Sequence, residues 1–188
     1  TGISQYRSDS NSNYNSLQIY LSKRTGRITY TASYTFAKTL GDSQSNGSSL
    51  ENWRDLNYNY GELNIDRKHA AVGTVVWQLP TFRNKNLLLR EAVGGIQISG
   101  VVRLQSGPFW TIQGNTSTGN RRADYHGGNK YAKDNRFTLA NHQAQWLNNG
   151  LSPDGVNKVF SSAPAGAFGS SGVAGIVMPG LEQTDVTL

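Results

Sequence analysis

The side chains that could act as catalysts or metal ligands are few and scattered. The three histidines, His69, His126 and His142, lie in unrelated contexts, and none has the His-x-x-x-His or His-Glu spacing that brings two ligands together. Asp124 and Tyr125 precede His126, but neighbouring residues of a strand or loop do not converge on one substrate atom, and no serine has the flanking glycines of a nucleophile elbow. We therefore expect no catalytic or metal site here, and we expect His69 to lie at the rim of a strand.

Two further kinds of active site are disfavoured. The glycine-rich residues 166–180 lack the Lys-Ser or Lys-Thr and the following helix of a phosphate-binding loop. The strands present no inward pair of Asp or Glu residues, which glycoside hydrolysis by a β protein needs. The sequence thus favours a binding protein without a cofactor over an enzyme.

Aromatic and arginine side chains are concentrated in or beside two long polar segments, residues 41–64 and 113–180. Aromatic rings bind ligands by stacking, and arginines pair with anionic groups. The alternative interpretation is that the aromatic residues pin the loops together. The candidate ligand-binding residues are Trp53, Tyr58, Trp110, Arg121, Arg122, Tyr125 and Trp146.

The element that organises the chain is residues 27–40, RITYTASYTFAKTL. Even positions from Ile28 to Phe36 are apolar or aromatic, while odd positions from Thr29 onwards are small and mostly polar, so a strand here has one face of each kind. The run exceeds the roughly 9–11 residues that a tilted strand needs to cross a bilayer. This pattern indicates a transmembrane strand with its apolar face in lipid and its Thr/Ser face in a polar lumen.

Similar alternation predicts further strands at about 14–23, 69–79 and 95–112, and a fifth that begins near 183 and runs to 188. Arg103 in mid-strand fits a wet, polar face and not a dry core. The predicted lipid-facing residues are Leu17, Ile19, Leu21, Ile28, Tyr30, Tyr34, Phe36, Val75, Trp77, Ile96, Ile98, Val102 and Leu104. The predicted lumen-facing residues are Gln18, Thr29, Thr31, Ser33, Thr35, Gln97, Ser99, Arg103 and Gln105.

The connections between these strands alternate in length. A short basic turn at 23–27 and a moderate connection at 81–94 alternate with the two long polar segments. Membrane barrels have short periplasmic turns on one rim and longer extracellular loops on the other. We therefore predict an all-β fold, an antiparallel up-and-down transmembrane β-barrel segment, in which residues 1–188 form one partial domain of a larger barrel with both long loops on the extracellular rim.

The net charge of +6 raises nucleic acid as a partner. The basic residues are dispersed among separate turns and loops, without a basic helix, a zinc spacing or a basic strand interleaved with stacking aromatics. We expect no nucleic-acid partner. The sequence contains no cysteine, so disulfide and thiol chemistry are excluded.

Several segments in order resemble one family. These are NYNSLQIYLSKR and YTASYTFAKTLGD near the start, IDRKHAAVGTVVWQLP and GGIQISGVVRLQSGPFWTI in the middle, and QWLNN, PAGAFGSSG and TDVTL towards the end. Together they resemble the barrel strands of Oar-like TonB-dependent outer-membrane receptors, which have a carboxypeptidase-regulatory-like front domain. The chain departs from that pattern at Ile96, Ala71, Arg103 and Lys68, where Trp, Phe, a small polar residue and Arg are usual, and the face pattern survives each change.

The resemblance implies a late segment of a barrel of about 22 strands, filled by a plug and located in the bacterial outer membrane. It implies import of a large or scarce extracellular ligand. The implied partners are the rest of the barrel, the plug, the TonB complex and outer-membrane lipids. The alternative is a secreted or surface-anchored all-β adhesin or filament-forming structural protein, which would be extracellular and would transport nothing.

Overall fold

A computed structural model describes residues 8–44, 50–80, 95–114, 121–132 and 146–188, and the connection at 81–94 lies outside this part. The chain divides into two compact units. The sheet unit comprises residues 14–38, 67–107 and 179–188, and the loop unit comprises residues 1–13, 39–66 and 108–178.

Strands dominate the described residues, with one short helix. The elements in chain order are β1 (Ser12–Lys23), β2 (Ile28–Gly41), α1 (Leu56–Asn59), β3 (Gly61–Glu62), β4 (His69–Gln78), β5 (Gln97–Gln105), β6 (Phe109–Trp110), β7 (Gln113–Gly114), β8 (Arg121–Tyr125), β9 (Phe160–Ser162), β10 (Ile176–Val177) and β11 (Leu181–Thr187). No helix among these residues is long and apolar enough to cross a membrane.

The long strands form one sheet in the order β1-β2-β4-β5-β11. The pairs β2–β4, β4–β5 and β5–β11 are antiparallel. Between β1 and β2, Gly26 reverses the chain with a φ of 88°, a left-handed conformation that glycine adopts without strain. In the described part of the chain, β1 and β11 each have one side without a neighbouring strand. The all-β, antiparallel class predicted from the sequence is confirmed.

The register places the two predicted sets of side chains on opposite faces of this sheet. Ile28 lies opposite Trp77, which lies opposite Ile98, and Thr31 lies opposite Thr74. Because directly opposed residues point to the same face, the predicted lipid-facing residues of β2, β4 and β5 form one continuous apolar face. The Thr, Ser and Gln residues form the other face, together with Val72, Val76 and Val101. In β1, which has its own alternation, Leu17, Ile19 and Leu21 lie on one face and Gln18 lies on the other.

The apolar face is not covered by protein. Side chains such as Ile28, Trp77 and Leu104 are more than two-fifths exposed, whereas every buried hydrophobic residue described except Ala37 belongs to the loop unit. A contiguous exposed apolar face of this size marks an interface with a partner or a membrane. The sheet unit therefore has the surface expected of a lipid-facing wall.

The strand boundaries lie within two residues of the sequence-based prediction, except at the end of the strand predicted at 95–112. The strand predicted at 95–112 ends at Gln105, and residues 109–110 form β6, which pairs with β10 instead. Pro108, two residues before Trp110, has no amide hydrogen, so the chain leaves the main ladder there. The last strand begins at Leu181, opposite Gln105, two residues earlier than predicted. The predicted loops 41–64 and 113–180 also contain α1, β3 and β7 to β10.

Two adjacent valines test the assignment of the faces. Val101 lies on the polar face opposite Thr74 and Asp185, Val102 lies on the apolar face, and both are 39% exposed. Val102→Arg should lower the free energy of unfolding in lipid vesicles by roughly 2–4 kcal/mol, because the guanidinium enters hydrocarbon. Val101→Arg should cost much less, because the new cation faces Asp185 in a polar lumen. Equal costs in denaturant titrations of the two variants would show that the two faces have similar surroundings.

Candidate functional site

An ion pair joins the two long polar segments inside the loop unit. Arg122 Nε lies 3.1 Å from Glu51 Oε2, and the Arg122 backbone amide donates to Glu51 Oε1 at 2.9 Å. The two residues are 71 positions apart in sequence. Arg122 is only 6% exposed, so the pair is shielded from water and its two charges compensate each other.

Tyr58 packs against this ion pair. The Arg122 guanidinium carbon lies 3.5 Å from the centre of the Tyr58 ring, and Nη2 donates to the Tyr58 carbonyl at 2.8 Å. The Tyr58 hydroxyl donates to the carbonyl of Gly169 at 2.8 Å and lies 3.3 Å from Glu51 Oε1. Burial raises the pKa of Tyr58, and the Glu51 carboxylate adds to this, whereas the Arg122 cation opposes it.

The Asn59 side chain holds the segment that contains Glu51 in a compact turn through hydrogen bonds to its backbone. The buried Asn59 side chain accepts from the amides of Glu51 and Asn52, and donates to the carbonyls of Asn52 and Asp55. Asp55 caps α1 by accepting from the Asn57 amide at 3.0 Å. This local network fixes Glu51 so that it can meet Arg122.

Arg122 and Tyr58 therefore make structural contacts inside the loop unit, and ligand contact by either residue stays a prediction. The guanidinium of Arg122 lies between Glu51 and the ring and carbonyl of Tyr58, and the Tyr58 hydroxyl is bonded within the loop unit. These contacts match the alternative that aromatic residues pin the loops together. Arg121 begins β8, and its side chain lies outside the described part of the structure.

Two of the predicted aromatic residues, Trp110 and Trp146, line one open cleft in the loop unit. Trp110 lies on β6 opposite Ile176 and is 55% exposed. The Trp146 indole nitrogen donates to the Val177 carbonyl at 2.8 Å, and its ring meets Tyr131 edge-on. The cleft has a volume of about 390 Å³ and is lined by Trp110, Trp146, Leu147, Asn149, Ile176 and Met178.

The size and lining of this cleft make it a candidate binding site. Its volume falls within the roughly 300–1,000 Å³ of small-molecule sites, and its lining is aromatic and aliphatic with one amide, from Asn149. Among the described residues, the lining contains no charged side chain. The sequence did not indicate Leu147, Asn149, Ile176 or Met178, because the pairing of two-residue strands such as β6 and β10 has no periodic signal.

The remaining aromatic candidates, Trp53 and Tyr125, do not line this cleft. Trp53 is 61% exposed and is stacked by the Arg54 guanidinium, 4.9 Å from the ring centre. The Tyr125 hydroxyl donates to the Gly128 carbonyl at 2.6 Å, and its ring packs against Phe160. Tyr125 also lines a cavity of about 20 Å³, the size of one water molecule.

The histidines take part in separate local contacts. His69 Nδ1 lies 2.8 Å from the Tyr34 hydroxyl, and His126 Nε2 lies 2.8 Å from Ser161 Oγ. Asp124 accepts from the Ser170 amide and so orders a loop. His142 lies outside the described residues. Within the described ranges, no three His, Cys, Asp or Glu side chains are placed to hold a metal ion.

The polar face of the sheet has its own cross-strand contacts. Thr31 and Thr74 share a hydrogen bond of 2.6 Å between their hydroxyls. Arg103 lies opposite Gln183, whose side chain donates to Asp185 at 3.0 Å. Arg103, Gln183 and Asp185 thus share this face with the Thr, Ser and Gln residues, which is the distribution expected of a water-lined wall.

These observations define the class: an integral membrane protein that crosses its membrane with antiparallel strands. Residues 1–188, the whole chain, match the family model described as the outer membrane beta barrel domain, and the chain belongs to that family. It is therefore a protein of the bacterial outer membrane, and the alternative of a secreted protein is not supported. No curated protein and no solved structure matches the chain.

The ion pair between Arg122 and Glu51 is testable by substitution. Arg122→Met should destabilise the loop unit by about 3–5 kcal/mol, because it leaves Glu51 buried without its partner. Adding Glu51→Gln should recover part of this loss, as coupled neighbours do. Hydrogen exchange at residues 51–59 and 121–125 measures the effect. Arg54→Met is the control, since Arg54 is exposed, and a similar cost for both arginines would contradict the structural role of Arg122.

Proposed function

We propose that the chain is part of a TonB-dependent outer-membrane receptor that captures a large or scarce ligand at the cell surface and imports it. Membership of the outer-membrane β-barrel family supports the location, and the resemblance to Oar-like receptors supports the energy source. The proposed protein is a binding and transport protein and not an enzyme. Its partners are the rest of the barrel, a plug domain, the TonB complex, outer-membrane lipids and an extracellular ligand.

The observation on which this proposal depends is the joining of the two long segments. Residues 39–66 and 108–178 belong to one compact unit, although β4 and β5 lie between them in sequence. β2 and β5 are both antiparallel to β4, so both strands run in the same direction and both segments follow the same edge of the sheet. Short barrel loops need no such unit, whereas a receptor needs an ordered binding surface on one rim.

The cleft between Trp110 and Trp146 is the ligand contact that the geometry favours. Trp110 is mostly exposed, so a ligand that covers its ring removes apolar surface from water. The described part of the lining is uncharged, which favours a neutral ligand or a neutral portion of a larger one, with Asn149 available to hydrogen-bond it.

The orientation of the chain follows from the same topology. Polar backbone of this length cannot lie in hydrocarbon, and long loops belong to the extracellular rim. We expect cysteines introduced on intact cells at Trp53 and Val156, both strongly exposed in the loop unit, to react with a membrane-impermeant maleimide. A cysteine at Thr25, in the turn between β1 and β2, should be protected. The reverse pattern would invert the orientation, and labelling at all three sites would contradict a membrane-spanning sheet.

Import can be tested by measuring which compounds cells remove from a defined growth medium. Cells of the source organism should remove at least one neutral compound that cells lacking the gene leave behind, as measured by mass spectrometry. A protonophore should stop the uptake, because TonB draws on the proton gradient, while surface binding continues. Binding that never leads to uptake would instead favour the adhesin.

Two tryptophan variants locate the ligand contact in the same assay. Trp110→Ala should weaken binding of that compound about 2- to 12-fold, since an aromatic stacking contact contributes roughly 0.5–1.5 kcal/mol. Trp53→Ala is the matched control, because Trp53 is similarly exposed but lies outside the lining of the cleft. Equal effects of the two variants would remove the cleft from the binding site.

A further inference from the structure

We infer that the loop unit binds one water molecule in a cavity beside Ser171 and Lys130, and that this water joins the segment after β8 to the turn at residues 171–175. The site is separate from the cleft lined by Trp110 and Trp146. It does not depend on TonB, on import or on the identity of any imported ligand, so it can be tested independently of the proposed function.

The Ser171 side chain is buried, and its hydroxyl lacks a hydrogen bond. Ser171 is 5% exposed, and its Oγ has no hydrogen-bond partner in the part of the chain that the structure describes. The Ser171 backbone amide donates to the Ala123 carbonyl at 2.9 Å, which holds the residue against β8. Buried hydroxyl groups normally have a partner, either in the protein or in an ordered water molecule. A small polar ligand at this position would supply the missing partner.

Ser171 is one of the residues that line a cavity of water size. The cavity has a volume of about 20 Å³, and its lining also includes Lys130, Gly172 and Gly175. One water molecule needs about 10–15 Å³ or more of such space and two to four polar partners. The cavity is therefore large enough for one water molecule and too small for a sugar or a phosphate group.

Lys130 and Gly172 provide further polar atoms beside this cavity. Lys130 Nζ donates to the Gly175 carbonyl at 2.9 Å and lies 5.1 Å from the centre of the Tyr125 ring. An ammonium group has three protons, so two remain after the bond to Gly175. A Cβ atom on Gly175 would lie 3.2 Å from Gly172 O and 3.7 Å from Lys130 Nζ. Both polar atoms therefore border the space beside Gly175.

The combination of donors and acceptors favours water over an anion. Lys130 offers N–H donors, Gly172 offers a carbonyl acceptor, and the Ser171 hydroxyl can serve as either. A water molecule can bond to all three groups. A chloride ion matches the donors alone, and it would lose its hydration in a cavity whose lining also includes Tyr125 and Phe160.

The turn beside the cavity is held in a strained shape. Ala174 has a φ of 51°, a left-handed conformation that is unfavourable for a residue with a Cβ atom. Such a conformation persists where surrounding contacts fix it, and the Ala174 amide donates to Thr111 Oγ1 at 2.8 Å. Relaxation of the turn onto the Ser171 hydroxyl would disturb this contact, so the space for a water molecule is retained.

The two segments that share the water also shape the cleft. Tyr131 follows Lys130 in sequence and packs edge-on against Trp146. Ile176 follows Gly175 and lines the cleft together with Trp146. A water molecule that bonds to both segments therefore helps to hold the wall of the cleft in place.

The effect of one substitution on hydrogen exchange tests for the water. Ser171→Ala would remove a hydrogen bond to the water, so exchange at residues 125–131 and 171–177 of the full-length protein should become about 2- to 12-fold faster. If the hydroxyl had no partner, the same change would remove an unpaired buried group and slow the exchange. Ser162→Ala is the matched control, because Ser162 is an exposed serine of β9. Slower or unchanged exchange in Ser171→Ala, or an equal increase in Ser162→Ala, would overturn the proposal.

A crystal structure of the full-length protein grown with sodium bromide identifies the ligand directly. We expect a density peak about 2.8 Å from Ser171 Oγ, without anomalous scattering at the bromine absorption edge. An anomalous peak at this position would show that the site binds a halide ion. That result, or a cavity without any density peak, would overturn the assignment of a water molecule.

Discussion

The structure depends on one constraint, that a backbone amide or carbonyl in hydrocarbon must find its hydrogen bond within the protein. A sheet meets this need only when each strand has a neighbour, which explains why β2, β4 and β5 are long, regular and paired on both sides. The same constraint excludes irregular backbone from hydrocarbon, so loops must lie in water. The free energy of each unpaired group, several kcal/mol in lipid, is large enough to decide where a strand ends.

Because this constraint applies to the sheet unit, the two units differ in where their apolar side chains lie. In the sheet unit, the apolar side chains point outwards, and the polar face holds groups such as Thr31 and Arg103. The loop unit contains nearly all of the buried apolar side chains, such as Val159 and Ile176, together with an ion pair shielded from solvent. Arg122 can lie in that interior because Glu51 compensates its charge and Tyr58 covers its face.

The fold was largely predictable because period-two alternation is local. Each face of β2 can be read from neighbouring residues, so the strands and their faces needed no knowledge of partners. The prediction failed at 95–112, where the alternation stops at Gln105 and the aromatic residues Phe109 and Trp110 belong to a separate strand paired with β10. The site was less predictable because the contact between Glu51 and Arg122 spans 71 residues, and only tertiary structure brings them together.

The aromatic residues of the loop unit show why residue type alone could not identify a ligand contact. A Trp or Tyr is large enough to bury apolar area and has one polar atom, so it serves equally well to join loops or to receive a ligand. The hydrogen bonds of the aromatic side chains in the loop unit help to distinguish these two roles. The polar atoms of Tyr58, Tyr125 and Trp146 are bonded to main-chain carbonyls of the unit, so these contacts help to hold its loops in place. Trp110 instead leaves more than half of its surface in water beside a preformed cleft, and a ligand over that ring would recover the free energy that its exposure costs.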